Sequence, residues 1–150
     1  MGVCSIACTE AKTMPYRVHG ADLEKATNVL TLTMTNYPVF TYVMPKSTDR
    51  KERLHHVLRF ILNVGSYEGE VVAPSEDIEA IAIWLRSDDR RRSPRQALLS
   101  GFAALPLRVG MPTMNRLLRL AKSKQTQRTK ILAGRYCLLD MLGVDPRLQS

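Results

Sequence analysis

The sequence predicts a mixed α/β (α+β) domain, and three observations carry that expectation. Short β-branched and apolar runs alternate with longer stretches whose apolar residues recur at helical spacing. The order along the chain is strand, helices, two strands, helices, strand. The chain has 150 residues, enough for one domain with a core of its own.

The elements follow in order. Residues 1–13, with no apolar core behind a basic stretch, read as an N-terminal tail and not as a signal peptide. Met1-Gly2 is followed by Ile6 where a myristoylation pattern needs Ser or Thr. The domain proper spans 14–150. Tyr16–Val18 reads as a short strand, and Asp22 as the cap of a helix whose stripe is Leu23, Ala26 and Leu30. "YPVFTYVMP" reads as an aromatic-rich turn or short helix between Pro38 and Pro45. In the next helix, Asp49 and Glu52 have capping-box spacing and Leu54, Val57, Leu58, Ile61 and Leu62 form one apolar stripe. Gly65 reads as its stop. His55 and His56 fall between stripe positions and read as boundary residues.

"EVVA" and "AIAIWLR" read as a hairpin closed by "PSEDIE", with Trp84 in the core and Glu76 and Glu79 solvated at the turn. Residues 94–127 read as helical, divided at Pro106 and again at Gly110 and Pro112. "RYCLLDMLGV" is the last strand.

Charge is distributed unevenly. The net charge is +8, but residues 1–85 carry 8 Lys/Arg against 10 Asp/Glu, while residues 86–135 carry 13 against 2. The basicity belongs to one helical segment, which invites an anionic partner or forms a solvated face. Three cysteines, Cys4, Cys8 and Cys137, do not make a disulfide framework or a zinc spacing, so a reducing, cytoplasmic setting and no metal are expected. No apolar run reaches the ~18 residues of a membrane span.

Four stretches together, "YRV…ADLEKATNVL", "YPVFTYVMP", "EGEVVAPSEDIEAIAIWL" and "YCLLDMLGVDPRLQS", resemble the N-terminal portion of a GNAT-superfamily N-acetyltransferase, over Tyr16 to Ser150. The resemblance is most specific at the end. Leu142, Gly143, Val144, Asp145 and Pro146 match the close of the family's fourth strand, and Gln149 matches the first residue of its Q-x-x-G-x-G loop. The two loop glycines do not occur, so the chain is read as a truncated acetyltransferase.

The resemblance implies a mixed, mainly antiparallel sheet flanked by helices, without the family's C-terminal strands and helices. A basic helical insertion falls at about 93–130, where it would cover the substrate side. The implied reaction is acetyl transfer from acetyl-coenzyme A to a primary amine on a small molecule or peptide. Backbone groups of Leu142, Gly143 and Val144 would pair with the pantetheine arm, and Gln149 and Ser150 would open the pyrophosphate loop. Each lost bond to a charged group removes about 1.5–3 kcal/mol, and three lost bonds cost roughly a thousandfold in affinity. Weak acetyl-coenzyme A binding by this chain alone is therefore expected.

Asp140, a carboxylate in an apolar strand and in phase with Leu142 and Val144, is the candidate base or substrate contact. The bare edge of the final strand is expected to favour self-association. A nucleic-acid-binding or interaction protein using the basic 86–135 segment is the competing class. Neither an aromatic platform within the basic run nor a helix-turn-helix or zinc spacing supports it.

Overall fold

The computed structural model describes residues 15–45, 48–86, 101–132 and 134–148. The tail at 1–13, Cys4, Cys8, the 93–100 part of the basic insertion, Gln149 and Ser150 lie outside the described residues.

Four strands form one antiparallel sheet in the order β1-β2-β3-β4: β1 Tyr16–Arg17, β2 Gly69–Ala73, β3 Ala80–Arg86 and β4 Cys137–Val144. The helices are α1 Asp22–Met34, α2 Pro38–Val43, α3 Arg50–Glu68, α4 Leu105–Val109 and α5 Met111–Ile131. The mixed α+β architecture and the element order are as the sequence predicts.

Helices α1 and α3 pack on each other and on one face of the sheet. The apolar stripes explain why. Leu30 of α1, Leu54, Leu58 and Leu62 of α3, and Ile81 and Ile83 of β3 are all at most 1% exposed. Burying such a side chain contributes about 1.5–3 kcal/mol, so this cluster dominates the drive to fold. Two buried threonines of α1 avoid an unpaired hydroxyl by bonding back one turn, Thr27 to the Leu23 carbonyl (2.6 Å) and Thr31 to the Thr27 carbonyl (2.7 Å).

Several local expectations are corrected. Asp22 does not cap α1; its carboxylate accepts the Tyr16 hydroxyl at 2.6 Å and ties β1 to α1. That bond, first, and then burial hold the Tyr16 phenol above its ordinary range. Asp49 occupies the N-cap position of α3 without a side-chain cap bond and instead accepts from Arg53. Gly65 does not stop α3, which runs to Glu68. A Cβ at Gly65 would stand 2.7 Å from Ile83 Cγ2, so this glycine lets the helix lie close on the sheet. Trp84 is half-buried outside the core, on the strand face opposite Ile83. Ile61 is half-buried against the core and not fully inside it. Pro112 lies inside the first turn of α5, where a missing N–H costs nothing, and only Gly110, at φ +83°, separates α4 from α5.

The β2–β3 turn is tightly tied. Ser75 Oγ donates to Glu79, accepts from the Asp77 N–H, and the Ser75 carbonyl takes the Ile78 N–H. The bond from Ser75 holds the Glu79 carboxyl below its usual range. Ile78 sits at φ +57° with its side chain fully buried, an unfavourable backbone state for a β-branched residue, held by core burial.

Candidate functional site

Strand β4 is the last strand of the sheet, paired with β3 on one side. Among the described residues no strand lies on its other side, so alternate backbone groups point away from the sheet. The register against β3 is Ile81↔Gly143, Ala82↔Leu142 and Ile83↔Met141, and then Trp84↔Leu139. Asp140 is the extra residue of a β-bulge, with no partner opposite. A bulge turns the strand and re-aims the side chains around it. The bulge interrupts the simple alternation that the sequence suggests for Asp140, Leu142 and Val144, and both Asp140 and Leu142 line the cavity described below. The repeat of two gives no sign of an inserted residue.

The bulge directs Asp140 toward α5. Its Oδ1 accepts from Lys124 Nζ at 3.1 Å and from the Arg128 guanidinium. The Asp140 and Arg128 side chains are 14% and 17% exposed, whereas that of Lys124 is half-exposed. Sequence reasoning placed Asp140 correctly as the unusual carboxylate of this strand but missed its partners. Lys124 and Arg128 have the i,i+4 spacing that puts two cations on one helix face, a signal present in "KSKQTQR".

Beneath these charges lies a cavity of about 640 Å³. Its walls come from Met34, Tyr37 and Phe40 around α1 and α2, from Val57, Phe60, Ile61 and Val64 of α3, from Met114, Leu117 and Ala121 of α5, and from Ile83, Leu85, Met141 and Leu142 of the sheet. Among the described charged residues, Lys124, Arg128 and Asp140 reach it, with Gln125 beside them. An apolar cavity of this volume with a few polar groups converging at one side has the character of a small-molecule site.

The end of β4 is fastened from two directions. The Thr33 hydroxyl of α1 donates to the Val144 carbonyl at 2.9 Å, and the Asp145 N–H donates to the Glu79 carbonyl at 2.8 Å. Gly143 is buried, and a Cβ there would stand 2.5 Å from Leu30 Cδ2. The following turn is closed by Asp145, whose Oδ1 accepts the Arg147 N–H at 2.9 Å and whose Oδ2 accepts Arg147 Nη2 at 2.7 Å. The Arg147 guanidinium, first, and then its backbone N–H hold the Asp145 carboxyl below the usual carboxylate range. Thus Leu142, Gly143 and Val144 lie together on the terminal half of β4, with Leu142 exposed, Gly143 buried and Val144 half-buried.

The histidines form no site with Asp140. His55 bonds Glu24 at 3.1 Å, and His56 faces Arg108 at 3.3 Å. Both link helices. Glu76 is exposed, whereas Glu79 is half-buried and bonded to Ser75. Among the described residues no group of three His, Cys, Asp or Glu is disposed to hold a metal ion. No helix among them is long and apolar enough to cross a membrane.

Comparison of the chain with protein-family models and with curated protein sequences gives no match to either.

Proposed function

We propose that the chain is built for acetyl transfer from acetyl-coenzyme A to a primary amine. The single observation that carries the reading is the bulge at Asp140, set in an edge strand at the wall of an apolar cavity. A bulge frees backbone groups from the ladder. A fixed N–H beside a low-dielectric cavity suits the stabilisation of developing negative charge on a thioester carbonyl. The outer edge of the strand at Leu142 and Gly143 suits pairing with an amide-bearing arm such as pantetheine, while the Val144 carbonyl is held by Thr33. The GNAT-like stretch "CLLDMLGVDP" lies at the same place. Asp140 serves this chemistry as a hydrogen-bond acceptor for the amine, since its carboxylate already carries two cationic donors.

Amide NMR with millimolar acetyl-coenzyme A tests the reading. Shifts concentrated on residues 140–144, saturating with ligand, are expected. No shifts, or shifts confined to α5, would sink it.

A nucleic-acid-binding role has one observation in its favour. Arg119, Lys122 and Lys130 are exposed on α5 and form no ion pair with a described residue. Such a role requires late elution from heparin and a steep fall in affinity with salt.

A further inference from the structure

We infer that the cavity beside Asp140 takes an aromatic amine, a neutral N–H donor on an apolar body, and discriminates against alkylammonium ions. The inference rests on the acetyl-transfer reading only in calling this molecule an acceptor; the binding preference stands on the cavity itself.

Three features of the cavity lead there. Its walls are aliphatic and aromatic on every described element, with Tyr37, Phe40 and Phe60 among them, so the body of the ligand is apolar. Its polar side holds one carboxylate and two cations, a surplus of one positive charge among the described residues. A ligand that brings an ammonium to Asp140 also comes beside Lys124 and Arg128, which both bond that carboxylate. Repulsion at a few ångströms in a partly dry site is substantial.

The third feature is the carboxylate's unused oxygen. Both cations bond Asp140 Oδ1. No described residue bonds Oδ2, and among the described residues no buried side-chain polar atom lacks a partner, so Oδ2 is not fully buried. Asp140 lines the cavity, and in this inference its accessible Oδ2 is the acceptor offered to a ligand donor. The fitting group donates a hydrogen bond without adding charge. An aryl amine does this at neutral pH because its lone pair is delocalised into the ring, so the nitrogen stays unprotonated. An alkyl amine is protonated and must lose a proton on entry. A carboxylate gains the surplus cation but sets its own charge against Asp140 Oδ2.

The test is an NMR titration of the 150-residue chain at pH 7 without acetyl-coenzyme A. The probes are 4-hexylaniline, 4-hexylbenzylamine and 4-hexylbenzoate, which share an apolar body and differ in the head group. The aniline is expected to bind at least about tenfold tighter than either of the others. The shifts should fall on Ala121, Gln125 and Met141. Lys124→Met, which removes the half-exposed cation and leaves the Arg128–Asp140 pair intact, should reduce the preference over benzylamine to about threefold or less. Tightest binding by the benzylamine or the benzoate overturns the inference, as does no binding below about 1 mM. An unchanged preference in the Lys124→Met chain overturns it too. Release of free thiol from acetyl-coenzyme A is read separately. Binding without acetyl transfer sinks the catalytic reading alone, and acetyl transfer to other amines without aniline binding sinks this inference alone.

Discussion

Arg128 of α5 and Asp140 of β4 are joined by a largely buried ion pair, and that pair fastens the long basic helix to the edge strand of the sheet. Removing one partner leaves the other charge without compensation in a poorly solvated place. Asp140→Ala is expected to destabilise the chain by about 3 kcal/mol in urea unfolding, and Asp140→Ala with Arg128→Met by less than about 1.5 kcal/mol. A double-variant loss equal to the sum of the separate Asp140→Ala and Arg128→Met losses would show that the pair is not coupled.

Gly65 and Ile83 pose a contest between propensity and packing. Alanine in a helix gains about 1 kcal/mol over glycine, but overpacking costs about 1–3 kcal/mol. The 2.7 Å approach of Ile83 Cγ2 decides for packing. Gly65→Ala should lower stability by about 1 kcal/mol, measured by chemical denaturation; a more stable variant would refute the close approach.

Gly143 under Leu30 gives a sharper version of the same effect, since the added Cβ would meet Leu30 Cδ2 at 2.5 Å. Gly143→Ala should cost about 2 kcal/mol, and the loss should be less than additive with Leu30→Ala because the shortened side chain makes room. Simple additivity in a double-mutant cycle would contradict this packing.

His56 makes stability depend on pH. Burial, then Arg108, then His55 lower its pKa below the ordinary 6.5, while Glu52 opposes them. The unfolded chain therefore takes up this proton first as the pH falls. The contribution is fully present above about 6.5 and is lost as the pH drops through the window between the unfolded and the lower folded value. Thermal unfolding at pH 7.5 and 5.5 should show a smaller pH loss for His56→Gln than for the parent chain. Identical pH dependence in the two chains would rule the residue out.

The edge of β4 carries Leu139 at 40% exposure and Leu142 at 55%, without proline or lysine between Cys137 and Val144 to blunt pairing. Concentration-dependent self-association is expected in sedimentation velocity, and Leu139→Lys with Leu142→Lys should reduce it at least severalfold. A parent chain that stays monomeric at high concentration would show that the bulge already protects the edge.

The helices were legible because their periodicity is local. Leu54, Val57, Leu58 and Leu62 announce α3 and its buried face without any knowledge of the sheet. The hairpin was legible for the same reason, since Ala80–Arg86 and its turn carry their own signals. Misreadings came where a distant residue decided. Gly65 looks like a helix stop until Ile83 is seen above it. Asp22 looks like a cap until Tyr16 claims its carboxylate. Trp84 looks like core until the strand's alternation against the helices is known.

By itself, then, the sequence determined the order and type of the elements, the faces the long helices bury and the concentration of positive charge in one segment. These depend on spacings of two to four residues along the chain. Only the tertiary structure decided that β4 bulges at Asp140, that Lys124 and Arg128 meet that residue's Oδ1, and that an apolar cavity opens beside them. Each of these joins residues from separate elements, and the free energy that selects them comes from packing the helices onto the sheet. No local pattern of residues records that term.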